Sequence, residues 1–184
     1  MKKFYVLGMV LMGAACFAFA ASLSVPWFVD DGNIPGKLPP VAGKGQVGIV
    51  YLHNNLNEDV VCSIAYYSSI GHFMGPAGDD PTTFAIPALS TIAFRPGCDD
   101  PALGFGSGGQ ETAIARAVPN RPTAAPVGLP YIEAVDKPKN GSIVIQWTQG
   151  GAQTVQGFLM QAQNADGTAT GRVTTWGTLL PPGL

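Results

Sequence analysis

Apolar and β-branched residues recur along the chain in short runs cut by Gly, Pro, Asn and Asp, and helical periodicity is weak almost throughout. That rhythm predicts strands and turns. QVGIVYLHN (46–54) reads as a strand ended by NLNED. VVCSIAYYS (60–68) reads as the next strand. Side chains alternate across a strand, so Val60, Cys62, Ile64 and Tyr66 share one face, the inner one. SSIGHFMGPAGDDP reads as a long turn, and TTFAI and TIAFR as a hairpin closed by PALS. In KNGSIVIQW the Asn140-Gly141 pair predicts a tight hairpin turn, since both residues tolerate positive φ. Ile143, Ile145 and Trp147 then fall on one face. TVQGFLMQAQ follows after QGGA, and TGRVTTWGTLL after NADG. About eight strands with short turns predict an all-β fold, an antiparallel β-sandwich of Ig-like or jelly-roll-like kind. A closed barrel shows the same alternation and stays open as an alternative.

Three stretches break the rhythm. ETAIARAV (111–118) permits a short helix. PNRPTAAPVGLPYIEAVDKPKNG (119–141) holds five prolines, which remove backbone donors and restrict their neighbours, so it reads as one long ordered loop. Tyr131 and Ile132 at its middle are placed to pin it to the sheets. The third stretch is the amino end. Lys2 and Lys3 precede Phe4–Phe19, which is uncharged and mostly apolar. A basic head and an apolar core are the layout of a secretory signal. The core is marginal for a membrane span, which needs about 20 apolar residues. Ala18-Phe19-Ala20 offers a small-x-small cleavage site. The competing exits are a lipoprotein signal with the lipid on Cys16, and an uncleaved anchor. The expected organisation is a signal peptide (1–20), an N-terminal extended segment (21–45) and a β-sandwich domain (46–184).

Composition narrows the setting. Cleavage after Ala20 leaves 8 basic residues against 12 acidic ones, because Lys2 and Lys3 are lost. There is no basic patch, so nucleic acid is a poor partner. Charge is scarce, while Gly (24) and Pro (16) are abundant. A low-charge, Gly- and Pro-rich exported chain suits an all-β surface or envelope protein of a bacterium, secreted or periplasmic. No second apolar run is long enough to cross a bilayer. Cys62 and Cys98 remain after cleavage, and an isolated pair in an oxidising compartment is expected to form a disulfide. Such a bridge stabilises by about 3–4 kcal/mol on the chain-entropy model.

Candidate chemistry is thin. His53, Cys62, His72 and Met74 are the residue types of a copper site, but Cys62 lies too far from His72 for a blue-copper loop, so no metal is expected. Asp79-Asp80 and Asp99-Asp100, with Asp30-Asp31, sit beside Gly or Pro. Carboxylates from separate loops could bind calcium, yet Asp at such places also forms turns. Gly104-Phe105-Gly106-Ser107-Gly108-Gly109 matches a dinucleotide pattern without the strand, helix and acidic residue that pattern needs. No H-E-x-x-H or G-x-S-x-G occurs, so no catalytic residue and no cofactor is assigned. Trp27 and Trp176 could stack on sugars, while Trp147 belongs with its Ile neighbours in the core.

The expected function is therefore a non-catalytic interaction module that acts through loops on a rigid scaffold. His72, Phe73, Tyr131 and Ile132 are its candidate binding positions, and a protein or glycan on the cell surface its partner. A second expectation is a self-assembling structural subunit, with residues 21–29 lent to a neighbour's sheet edge. A third is a calcium- or carbohydrate-binding domain.

Overall fold

The computed structural model describes residues 21–29, 45–76, 82–96, 118–119, 121, 140–164 and 173–180. Among these there is no helix, and nine strands form two antiparallel sheets. The strands are β1 (Ala21–Val29), β2 (Gly45–Asn54), β3 (Val60–Ser68), β4 (Phe73–Gly75), β5 (Thr83–Ile86), β6 (Thr91–Phe94), β7 (Asn140–Trp147), β8 (Val155–Asn164) and β9 (Val173–Leu180). Sheet A runs β1-β7-β3-β4, with β5 also on β3. Sheet B runs β6-β2-β8-β9.

The inner faces of the two sheets share one core. Leu23, Val25 and Phe28 of β1, Val60, Cys62, Ile64 and Tyr66 of β3, and Ile143, Ile145 and Trp147 of β7 come from sheet A. Val50, Leu52, Ile92, Phe94, Val155 and Leu159 come from sheet B. Alternation puts these residues inside, as it predicts for β3 and β7. Val118, Pro119 and Arg121 close one end of the core. Tyr66 donates its hydroxyl to the Pro119 carbonyl at 2.8 Å. The Arg121 guanidinium lies 5.8 Å from the centre of the Phe28 ring and donates to the Asn140 carbonyl at 3.3 Å. The outer face of sheet B carries a second, smaller apolar cluster of Val47, Ile49 and Ala93, flanked by Tyr51 and Met160.

Several expectations need correction. TTFAI and TIAFR do not form a hairpin: β5 pairs with β3, and β6 pairs with β2. The PALS link passes from one sheet to the other because its polar groups are taken by the β2–β3 loop. Leu89, at φ 51°, donates its N–H to the Leu56 carbonyl, and Asn54 N–H donates to the Ser90 carbonyl. The fully buried Asn54 amide holds this corner. Its Nδ2 donates toward the Glu58, Ile86 and Pro87 carbonyls at 2.8, 3.1 and 3.1 Å, and its Oδ1 accepts from Leu56 N–H at 2.8 Å.

Asn140-Gly141 is not a hairpin turn either. Both residues lie inside β7, and Gly141 faces Ser68 on one side and Phe28 on the other. Its φ is 152°, and a Cβ there would run into the Tyr67 carbonyl oxygen. Glycine is needed for close backbone approach, not for a turn. The described residues form nine strands, near the eight or so expected, with the amino-terminal segment and Phe73–Gly75 both joined to sheet A.

No disulfide involves Cys62, which is a free, fully buried thiol. Its cross-strand neighbours are Trp147 and Phe84, and it packs among them as a small apolar group. Burial pushes the thiol up from its ordinary value of 9.0 to about 12. Cys98, the expected partner, lies outside the described residues. So do the expected signal segment with Cys16, the glycine-rich stretch 104–109, all of ETAIARAV before Val118, and the proline-rich stretch 122–139.

Candidate functional site

None of the nine strands contains Asp, Glu, Lys or Arg. The charges of the described residues therefore sit in the connections, and both sheets present neutral outer faces. On sheet A that face is built from small residues: Ser22 and Ser24 of β1, Ser63 and Ala65 of β3, and Ser142 and Val144 of β7.

One row of this face is aromatic. β1 carries a bulge between Val25 and Phe28, where the register against Ile143 and Gly141 shifts. Val25 and Phe28 both stay buried, so the bulge turns Pro26 and Trp27 outward, opposite Ser142. Ser142 is paired with Tyr67, and Tyr67 with Phe73. The row Trp27–Ser142–Tyr67–Phe73 thus crosses four strands. Strands lie about 4.8 Å apart, which sets Trp27 and Tyr67 roughly 10 Å apart with only a serine between them. Tyr67 and Phe73 meet edge to face, with ring centres 5.7 Å apart. Trp27 is 47% exposed and Phe73 58%, and Ile70 beside the β3–β4 turn is 54% exposed.

The turn that presents Phe73 is rigidly tied. Ser68 N–H donates to the His72 carbonyl at 2.8 Å, and Ser68 Oγ accepts from His72 N–H at 3.1 Å. Gly71, at φ 82°, allows the reversal. His72 is half-buried there. Of the four binding positions read from sequence, His72 and Phe73 are adjacent in this turn, whereas Tyr131 and Ile132 lie outside the described residues. The sequence reading also singled out Trp27, but not Tyr67, whose outward position follows from the inward one of Cys62 and Tyr66.

The other candidates do not come together. His53 is on the outer face of sheet B, with Nδ1 2.9 Å from Thr91 Oγ1. Cys62 and Met74 are inside, and the Met74 sulfur accepts from Arg121 Nη2 at 3.4 Å. Among the described residues no three His, Cys, Asp or Glu side chains converge on a point that could hold a metal. The calcium candidates Asp79, Asp80, Asp99 and Asp100 lie outside the described residues. A shallow depression lined by Val61, Cys62, Ser63, Thr83, Gln146, Trp147 and Thr148 is open to solvent and mostly apolar. Trp147 is buried, with its indole N–H donating to the Gly151 carbonyl at 3.1 Å.

A second neutral patch lies on sheet B. Tyr51 and Phe158 rings are 6.2 Å apart on its outer face, and the Phe158 ring covers Gly177, where a Cβ would strike it. Trp176, 40% exposed, points to the opposite face and donates its indole N–H to Gln161 Oε1 at 2.9 Å. No described helix is long and apolar enough to cross a membrane. Compared with known proteins, the chain matches no family model, no curated protein and no solved structure.

Proposed function

We propose that the protein is a secreted or periplasmic, non-catalytic β-sandwich module that binds an uncharged, ring-bearing partner, a neutral glycan of the cell surface. The observation that carries this reading is the row Trp27–Ser142–Tyr67–Phe73, exposed at both ends and half-buried between them, on described strands without a single charged side chain. Aromatic faces stack on the C–H faces of sugar rings, and the hydroxyls of Ser142, Ser24 and Tyr67 supply donors and acceptors between them. Export is supported by the basic head and apolar core of residues 1–20. The non-catalytic part is supported by the separation of His53, on the outer face of sheet B, from His72, in the β3–β4 turn at sheet A. The test is retention of the full chain on a panel of neutral polysaccharides and envelope fractions. Binding should be insensitive to salt, because no ion pair forms, and Trp27→Ala/Phe73→Ala should lose it at least tenfold. Equal retention of wild type and double variant, or retention abolished by moderate salt, rejects the reading.

The structural-subunit reading has its own support. β1 is both the first strand and an edge strand, and its whole ladder lies with β7. The same ladder could be filled by β1 of another copy. The test is a chain lacking residues 21–29, which loses Leu23, Val25 and Phe28 from the core and should not fold alone. On this reading a synthetic peptide ASLSVPWFV restores the sheet in trans. A truncated chain that stays unfolded with saturating peptide rejects strand exchange.

A further inference from the structure

We infer that β9 is a homodimerisation edge, at which β9 of a second copy adds antiparallel across a two-fold axis to join two four-stranded sheets into one. The inference does not depend on the glycan reading, since it uses a different sheet and a different surface.

The first observation is the contrast among sheet edges. An open edge offers unpaired N–H and C=O groups, and proteins blunt such edges with Pro, charge, bulges or brevity. β4 has three residues and is followed by Pro76. β5 and β6 have four each, followed by Pro87 and by Arg95-Pro96. β1 carries Pro26 and a bulge. β9 is likewise flanked, by Arg172 and by Pro181-Pro182, but it is neither short nor interrupted. It runs eight residues in unbroken register with β8, from Val173↔Asn164 to Leu180↔Gly157, and holds no proline and no charge. No described strand covers its other side.

The second observation is exposure on both faces. Thr174 to Leu179 are all classed as exposed, although the Phe158 ring lies over Gly177 on the outer face and Trp176 is tied to Gln161 on the inner one. Trp176 is 40% exposed and Leu179 77%. An eight-residue ladder with an aromatic and a leucine laid open is an unfinished sheet rather than a finished rim.

The third observation selects the occupant. Antiparallel pairing about a two-fold axis normal to the sheet sets residues of equal parity opposite one another. With the axis at Trp176, the run Thr174-Thr175-Trp176-Gly177-Thr178 is nearly its own mirror. Trp176 then opposes Trp176 of the second copy, Thr174 opposes Thr178, and Thr175 opposes Gly177. Aromatic–aromatic and Thr–Thr pairs are among the favoured cross-strand pairs. Self-pairing of a charged strand would set like charges face to face. This strand has none, so the occupant that matches it is a second β9. The two-fold is isologous and closes at two copies.

The register makes the test specific. The full chain should sediment as a dimer whose fraction rises with concentration. Thr174→Lys/Thr178→Lys places lysine opposite lysine twice and should leave monomer only. Thr174→Lys/Thr178→Glu places lysine opposite glutamate twice and should restore dimer. Both positions are exposed, so the circular-dichroism spectra of the variants should match wild type. A wild-type chain that stays monomeric into the hundreds of micromolar overturns the inference. So does a pair of double variants with the same oligomeric state. Retention on glycans through Trp27 and Phe73 should be kept in every variant, which separates the failure of one proposal from that of the other.

Discussion

β1 and β9 flank the same side of the molecule, each an edge strand of its own sheet and in contact with the other. They are nevertheless opposite in character. β1 is interrupted by proline and bulged, yet its Leu23, Val25 and Phe28 are 1%, 0% and 0% exposed. β9 is regular, yet five of its residues beside Trp176 lie open. An edge strand can thus be held by its side chains while its backbone is blunted, or held mainly by its backbone while most of its residues stay open to solvent. The first arrangement serves the core of one chain. The second leaves the strand available to another.

The largest test of this contrast is Phe28→Ala. It removes a fully buried ring that also underlies Arg121, and should cost about 3–5 kcal/mol, read as a drop in the urea midpoint. Gly141→Ala comes next, because the new methyl meets the Tyr67 carbonyl exactly where β7 lies between β1 and β3. About 2–3 kcal/mol is expected from the strained φ and the lost ladder. Leu179→Ala should change stability by no more than about 0.5 kcal/mol, since its side chain is mostly in water. If Phe28→Ala and Leu179→Ala shift the midpoint equally, the contrast between the two edges is wrong.

A fourth effect, confined to alkaline pH, comes from the interior between them. The folded Cys62 thiol titrates near 12 and the unfolded one near 9.0. The folded state therefore holds its proton longer. The stability gained from burying the neutral thiol is full below about pH 9 and is lost as pH rises toward 12. Wild type should lose urea stability through that window more steeply than Cys62→Ala. At neutral pH, alkylation mapped by mass spectrometry should reach Cys62 only after unfolding.

Much of the strand pattern was legible because alternation is a local signal. β3 has the bounds Val60–Ser68 that its apolar run implies, and its inner residues are the ones parity selects. Partner choice was not legible, because it is decided by distant groups. Nothing within TTFAIPALSTIAF says that Asn54 will seize the Ile86 and Pro87 carbonyls and turn the link across the sheets. The Asn140-Gly141 pair carries a turn signal, but the crowding that needs glycine there comes from Tyr67. The aromatic row was half visible. Trp27 and Phe73 stood out as residue types, while their alignment through Ser142 and Tyr67 depends on registers set between strands far apart in sequence. A free Cys62 was hidden for the same reason, since parity gives its face and not its partner.

The pairing of Leu23 with Ile145 joins the first strand to one made more than a hundred residues later. Sheet A cannot close around β1 until nearly the whole chain is present, and such long-range closure is slow. On the export route proposed above, a chain threaded amino end first through a narrow pore would stay extensible during its passage and complete its interior only once its tail had followed.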